Sequence, residues 1–260
     1  PLSYRFYHLK KSIKMINQTI NGPEIKFRTK LEQAVDMISD IAKAFAQSKI
    51  VGITDSWFGN NGLWKPLHNQ LGRRFHMISR FRSNNNIFQS PGPHLKKGPG
   101  RPRKYGKKLE NATSLATQFK AFASEYIVNL YGRNRTILAY DRVVMLKTLK
   151  CAVRVVWIYR KTQWVAIFST DLTLSVEQVI EYYGARWKIE ALFKELKRDI
   201  GSAETQTRHP QAVSNHLNFC MMATSVAWIY ADRIAKTPNR RHAVEGRRHF
   251  AFSDVRRSIT

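Results

Sequence analysis

Residues 183–197 read Tyr183-Gly-Ala-Arg186-Trp-Lys-Ile-Glu190-Ala-Leu-Phe-Lys-Glu-Leu-Lys197. If this stretch forms one helix, a single stripe of its surface holds a tyrosine, a carboxylate and two cations, namely Tyr183, Arg186, Glu190 and Lys197. An apolar stripe about a quarter-turn away comprises Ile189, Leu192, Phe193, Leu196 and Ile200. Such a helix can pack on a core and still present a carboxylate flanked by cations. The alternative is an ordinary surface salt bridge from Arg186 to Glu190, which contributes little to stability.

The segments on either side of this stretch have clear periodic patterns. Ser175 and Gln178 have the spacing of a capping box, which predicts a helix or helix pair that ends near Gly201. A second long apolar helix is predicted after Pro210. Upstream, stretches rich in Val, Ile, Tyr and Trp predict four strands, around residues 126–130, 136–146, 151–159 and 163–169, with a hairpin turn at residues 160–162.

The N-terminal third predicts alternating strands and helices. Leu2, Tyr4 and Phe6 alternate with polar residues, the period of a half-buried strand. Apolar residues between 31 and 45 have helical spacing, and the apolar run at residues 49–54 predicts a buried strand. Residues 75–81 are a further strand candidate. The order strand, helix, strand is typical of an α/β fold.

The composition restricts the class of protein. The chain has 260 residues and a formal net charge of +26, because 44 Lys and Arg residues outnumber 18 Asp and Glu residues. A hydrophobic content of 43% with 12% aromatics is enough for a core, which excludes a wholly disordered basic tail. Two isolated cysteines exclude a disulfide scaffold and a Cys-based zinc module. The sequence is therefore typical of a soluble intracellular protein that binds a polyanion, most simply nucleic acid.

Asp55 directly follows the apolar run at residues 49–54. A carboxylate at the carboxyl end of a buried strand can project into a cleft and bind a hard cation. The alternative is a helix N-cap or an Asx-turn, which accounts for most isolated aspartates at such places.

A strongly basic stretch follows Asp55. No acidic residue occurs between Asp55 and Glu110, while twelve Lys or Arg residues do. Residues 84–108 are rich in Pro and Gly, which predicts a loop, and residues 98–104 resemble the core of an AT-hook. The candidate DNA contacts in this loop are Arg101, Arg103 and Lys104. The alternative is a basic linker that touches phosphates without reading bases.

These motifs together resemble a known family. The spacing Tyr-x2-Arg-x3-Glu-x6-Lys is similar to the signature of one large group of bacterial insertion-sequence transposases with a DDE catalytic core. Residues 54–58 resemble the family's second-aspartate segment, residues 100–106 resemble its basic loop, and residues 169–172 are also family-like. The resemblance implies a ribonuclease-H-like α/β core at residues 1–90, a basic loop and β-rich insertion at residues 91–170, and a helical remainder at residues 171–260.

The resemblance also implies a function and a site. Asp55 and Glu190 would be two of three carboxylates that hold Mg²⁺ or Mn²⁺. Tyr183, Arg186 and Lys197 would bind DNA beside them. The partners would be transposon ends and target DNA, bound by a homodimer at the nucleoid in the bacterial cytoplasm.

The sequence departs from the family pattern at the first aspartate. No residue fills this position convincingly: Asp36 and Asp40 fall on the predicted amphipathic helix, and Asp171 more simply begins a turn or caps the next helix. We therefore expect the chain to be the C-terminal portion of a transposase, with little activity alone. The alternative is a non-catalytic DNA-binding relic, and a ribosome-associated basic protein is a third, less favoured hypothesis.

Overall fold

The computed structural model describes residues 2–19, 23–92, 103–233 and 251–259. The helices in these residues are α1 (Ile13–Thr19), α2 (Lys30–Ala44), α3 (Asn61–Leu71), α4 (Ala112–Phe119), α5 (Val176–Ala185), α6 (Lys188–Arg198), α7 (Pro210–Arg233) and α8 (Phe252–Ile259). The strands are β1 (Ile50–Thr54), β2 (Phe75–Arg80), β3 (Ile87–Phe88), β4 (Ser124–Leu130), β5 (Arg133–Leu146), β6 (Cys151–Arg160) and β7 (Gln163–Ser169).

The chain divides into two compact units. Residues 30–186 form one, which we call the sheet unit, and residues 1–29 and 187–260 form the other, the helical unit. These units are defined by contacts within the chain. The predicted division into a core, a β-rich insertion and a helical remainder follows the modules of the family instead, and it stays a prediction.

The sheet unit is built on one mixed sheet with the strand order β1-β2-β7-β6-β5-β3, and β4 also pairs with β5. β1 and β2 are parallel, whereas the other pairs are antiparallel. Arg160 pairs with Gln163, so β6 and β7 form the predicted hairpin. The four strands predicted as an insertion are confirmed, and β2–β7 pairing makes them an extension of the sheet that begins with β1.

Both faces of this sheet are covered by helices. Along β6, Val155 and Trp157 point to a core that α2, α3 and α4 complete. Val156 and Ile158 point to the other core, which α5 covers. Because both faces are buried, β6 is a nearly continuous apolar run, as in other doubly covered strands. The α/β class predicted from the sequence is confirmed.

The stretch at residues 183–197 is not one helix. α5 ends at Ala185 and α6 begins at Lys188. Gly184 weakens the last turn of α5, and α5 packs so closely on β4 there that a Cβ at this position would lie 2.6 Å from the tip of the Leu130 side chain, which would have to shift. The Arg186 amide donates to the Tyr183 carbonyl at 3.1 Å, an i to i+3 bond that tightens the chain and ends the regular helix. The prediction that the four residues of the spacing form a single stripe on one helix is therefore wrong.

The strand expected at the N-terminus is also absent from the described residues. The segment at residues 2–9 has no regular structure. Alternation alone does not make a strand, because a strand needs a partner for its backbone hydrogen bonds. Here the Tyr4 hydroxyl instead donates to Asn218 Oδ1 on α7 at 3.0 Å.

The helical unit holds α1, α6, α7 and α8. The long helix predicted after Pro210 is confirmed as α7, and the capping box at Ser175, which lies in the sheet unit, is confirmed as well. On α6 only Leu196 of the predicted apolar stripe is buried, whereas Ile189 and Phe193 are about half exposed, at 50% and 53%. The Trp228 indole donates to Glu195 at 3.4 Å, which joins α7 to α6.

Candidate active site

Asp55 lies immediately after β1, at the carboxyl end of the parallel pair formed with β2. Its Oδ1 accepts hydrogen bonds from the backbone amides of Trp57 at 2.9 Å and Phe58 at 3.1 Å. The Asx-turn that the sequence left open is therefore present. Both bonds end on Oδ1, and Oδ2 accepts none from the described residues, so the turn leaves one carboxylate oxygen for another ligand.

Several contacts fix the loop that carries Asp55. The buried Ser79 hydroxyl donates to the Asp55 carbonyl at 2.6 Å. A Cβ on Gly59 would lie 2.3 Å from Ser79 Oγ, so only glycine fits there. Asn60 caps α3 by accepting from the Gly62 amide at 2.7 Å. The exposed Asp55 side chain thus stands on a rigid base.

Tyr183 and Arg186 lie at the end of α5, in the sheet unit. The Arg186 guanidinium carbon lies 5.9 Å from the centre of the Tyr183 ring, within the range of a cation–π contact. Both side chains are half-buried. The tyrosine therefore helps to orient this arginine.

Glu190 and Lys197 lie on α6, in the helical unit. They are seven residues apart, close to two helical turns, so they share one face of α6. Glu190 is in the first turn, where the helix dipole favours a negative charge. On the same helix, the pKa of Glu195 is raised, mainly because the side chain is partly buried. The negative charge of Asp199 raises this pKa further, whereas the hydrogen bond from Trp228 lowers it.

The basic loop is described only in part. Arg101 lies outside the described residues, whereas Arg103 and Lys104 are described and exposed. Just after them the chain pairs with the β3 region: the Gly106 amide donates to the Gln89 carbonyl at 2.9 Å. A Cβ on Gly106 would lie 2.6 Å from the Ser90 carbonyl oxygen, so this close approach also requires glycine.

Asp171 has an environment that the sequence did not reveal. It is only 5% exposed, and it accepts from the Thr173 amide at 3.0 Å and from the Thr173 hydroxyl at 2.6 Å, as expected for a residue that begins a turn. Its Oδ2 also lies 3.8 Å from His76 Nε2 and 3.9 Å from Lys49 Nζ. Burial raises the pKa of Asp171, but the Thr173 bonds and these two groups together bring it below its usual value. Sequence reasoning missed this cluster because Lys49, His76 and Asp171 meet only through pairing of strands distant in sequence.

The family comparison agrees with this fold. The family model described as transposase DDE domain matches residues 25–226. The chain belongs to this transposase family, and its mixed α/β sheet is consistent with the ribonuclease-H-like fold predicted from the sequence. A comparison with curated proteins gave no match. In the part of the chain that the structure describes, no helix is long and apolar enough to cross a membrane.

The structure places the predicted site residues in both units. Asp55, Tyr183, Arg186, Arg103 and Lys104 belong to the sheet unit, and Glu190 and Lys197 to the helical unit. Transposases of this family use divalent metals, but the described residues contain no group of three or more His, Cys, Asp or Glu side chains that could hold a metal ion. The meeting of Asp55 and Glu190 at one metal site stays a prediction.

Proposed function

We propose that this chain is part of the catalytic domain of an insertion-sequence transposase that cuts transposon ends and joins them to target DNA. In this proposal Asp55 and Glu190 are its catalytic carboxylates, and the spacing of Tyr183, Arg186, Glu190 and Lys197 supports membership of the group that shares this signature. The observation that carries the proposal is the placement of Asp55 within a matched transposase domain: it directly follows β1 with one carboxylate oxygen unused by its turn.

The residues suit a divalent metal by donor type. Mg²⁺ prefers hard oxygen ligands and keeps several waters, so a few carboxylates suffice. Asp55 would contribute Oδ2 while Oδ1 holds the turn, and Glu190 would contribute from the first turn of α6. When bound, Mg²⁺ or Mn²⁺ supplies stabilisation of the charge on the attacking and leaving oxygens.

The reaction has two balanced steps at phosphorus. In the first, a water oxygen bonds to a backbone phosphorus while the bond from phosphorus to the 3′ oxygen breaks, which leaves a 3′-hydroxyl and a 5′-phosphate. In the second, that 3′-hydroxyl oxygen bonds to a target phosphorus while the target's own bond to its 3′ oxygen breaks. In this second step the proton of the attacking hydroxyl leaves to solvent and the departing 3′ oxygen takes up a proton, so the number of phosphodiester bonds is unchanged.

The basic residues of the signature would hold the DNA for both steps. Arg186 is suited to a phosphate because its planar fork binds two oxygens at once, and its contact with Tyr183 restricts its orientation. Lys197 shares a face of α6 with Glu190. Arg101, Arg103 and Lys104 of the basic loop would bind phosphates farther along. Two ends must be paired, so we propose a homodimer on DNA, located at the bacterial nucleoid.

The family match does not favour the alternative that the chain is a non-catalytic DNA-binding relic of a transposase. The absence of the family's first aspartate from this chain, and its weak activity alone, stay predictions. They are tested by extending the chain with the in-frame codons upstream of Pro1. We expect the extended protein to cleave and the 260-residue chain to be nearly inactive under the same conditions.

The experiment on the function uses DNA that contains the sequences flanking the gene on both sides. We expect the extended protein to cut this DNA in the presence of Mg²⁺ or Mn²⁺ but not of EDTA. Asp55→Asn and Glu190→Gln should each abolish cutting. Asp40→Asn is the matched control, because Asp40 is an exposed carboxylate on α2 paired with Lys43 at 3.0 Å. Undiminished cutting by Asp55→Asn or by Glu190→Gln would contradict the proposal.

A further inference from the structure

A cavity of about 290 Å³ opens in the sheet unit beside α3 and the turn between β5 and β6. Its cationic lining comprises Lys65, Lys104 and Lys150, and the His68 ring also lines it. Among the residues described, no Asp or Glu lines it. Protein surfaces usually mix both signs of charge, so a concave site whose charged side chains are all positive is suited to an anion.

Lys150 occupies a backbone conformation that lysine disfavours. It has φ +60°, in the left-handed region that favours glycine and asparagine. The turn is nevertheless held in place, because the neighbouring Leu149 is buried and the Lys150 amide donates to the Leu146 carbonyl at 2.8 Å. The turn thus places a lysine beside the cavity at a position where glycine would adopt the backbone conformation with less strain. Residues with strained backbone conformations often occur at functional sites.

The wall formed by α3 is rigid. The His68 ring stacks on the Trp64 ring with centres 4.6 Å apart and planes 18° apart, and Trp64 is itself buried against Phe75. Cys151 adds no negative charge to the cavity, because burial raises the pKa of its thiol to about 11 although Lys104 acts to lower it. The site therefore stays cationic at neutral pH.

We infer that this cavity binds a backbone phosphate of duplex DNA. The inference rests on the proposed function for the choice of DNA as the polyanion. Lysines act as point charges and lack the planar fork that reads guanine, so the contact positions the DNA and carries no sequence preference. Lys104 belongs both to this cavity and to the predicted basic loop, which extends the DNA path from the loop onto α3 and the β5–β6 turn.

The test measures equilibrium binding of a labelled duplex of about 30 base pairs by fluorescence anisotropy, in EDTA, from about 50 to 200 mM KCl. The variants are Lys65→Ala, Lys150→Gly and the two combined. We expect each lysine removed to reduce the slope of log K against log salt by about 0.9. The matched control is Lys161→Ala, an exposed lysine in the β6–β7 turn at the other end of β6, which should leave the slope unchanged.

Thermal unfolding separates binding from folding. Lys150→Gly relieves the positive φ, so its midpoint should be equal to or above that of the unsubstituted protein while its DNA binding weakens. Lys65 is an exposed residue of α3, where alanine favours helix, so Lys65→Ala tests the cavity independently of the turn. An unchanged slope in the combined variant overturns the inference, and so does an equal loss in Lys161→Ala.

These outcomes are distinct from those of the cleavage assay. The lysine variants could show the expected reduction in the slope of log K against log salt while cutting does not depend on Asp55 or Glu190. That result would support the phosphate site and refute the catalytic proposal. The reverse pattern would refute the phosphate site alone. Tighter binding of a duplex RNA of the same length, lost in the lysine variants, would overturn DNA as the occupant.

Discussion

Replacing Asp55 by alanine and by asparagine separates its part in the loop from its proposed part in metal binding. Alanine removes both hydrogen bonds from the amides of Trp57 and Phe58, at 2.9 and 3.1 Å. Losing a comparable side-chain cap of backbone amides costs about 0.5–2 kcal/mol. Asparagine keeps an oxygen at Oδ1, so it should keep most of this stability while losing the carboxylate charge.

The two variants are compared by thermal unfolding and by DNA cleavage. For a chain of this size each 1 kcal/mol corresponds to about 2–4 °C, so we expect Asp55→Ala to lower the midpoint by about 1–8 °C and Asp55→Asn by less. Both should lose cleavage. Equal midpoints for the two variants would refute the role of the turn, and cleavage by Asp55→Asn would refute the role as ligand.

Three further substitutions and one control test the packing of the sheet unit by urea unfolding. Gly59→Ala would place a Cβ 2.3 Å from the buried Ser79 hydroxyl and should cost about 1–3 kcal/mol, whereas Gly92→Ala, which meets no described atom within 4 Å, should be nearly neutral. Trp157→Ala removes a fully buried ring that packs on Phe119 at 5.0 Å, and it should cost about 3–5 kcal/mol; a loss below about 1 kcal/mol would contradict the packing. The pKa of Asp171 is lowered in the folded protein, so its stabilisation is present above about pH 4 and lost as the pH falls through the folded pKa. Asp171→Asn should therefore be less stable than the unsubstituted protein at pH 7, with a smaller difference at pH 3; a difference that does not change with pH would contradict this.

The strands of the sheet could be predicted because their sequences are unambiguous. β6 and β7 are rich in β-branched and aromatic residues, and the pattern placed them within a residue or two of their observed bounds. α2 was similarly clear from its apolar spacing. α3 was not predicted, because Gly62 and Pro66 disfavour a helix; the Asn60 cap and burial of residues on its inner face outweigh those preferences.

Tertiary contacts account for the rest. The helix expected at residues 183–197 is interrupted between Ala185 and Lys188, directly after Gly184, which packs against Leu130 on β4, a contact between segments distant in sequence. The position of Asp55 directly after a strand could be predicted from the sequence, although β1 is half-buried rather than buried. The Asx-turn that uses one carboxylate oxygen of Asp55 was an alternative that the sequence left open. Whether Asp55 and Glu190 meet could not be derived from periodicity, since 135 positions separate them and they belong to different compact units.

The most direct test of the central claim is a double-mutant cycle on metal affinity. Mn²⁺ binding to the DNA complex is titrated by electron paramagnetic resonance for the extended protein, for Asp55→Asn, for Glu190→Gln and for the combined variant. If both carboxylates hold the same metal site, each single change weakens binding and the combined loss of free energy is clearly non-additive. Additive losses, or affinity unchanged in either single variant, would contradict a shared site.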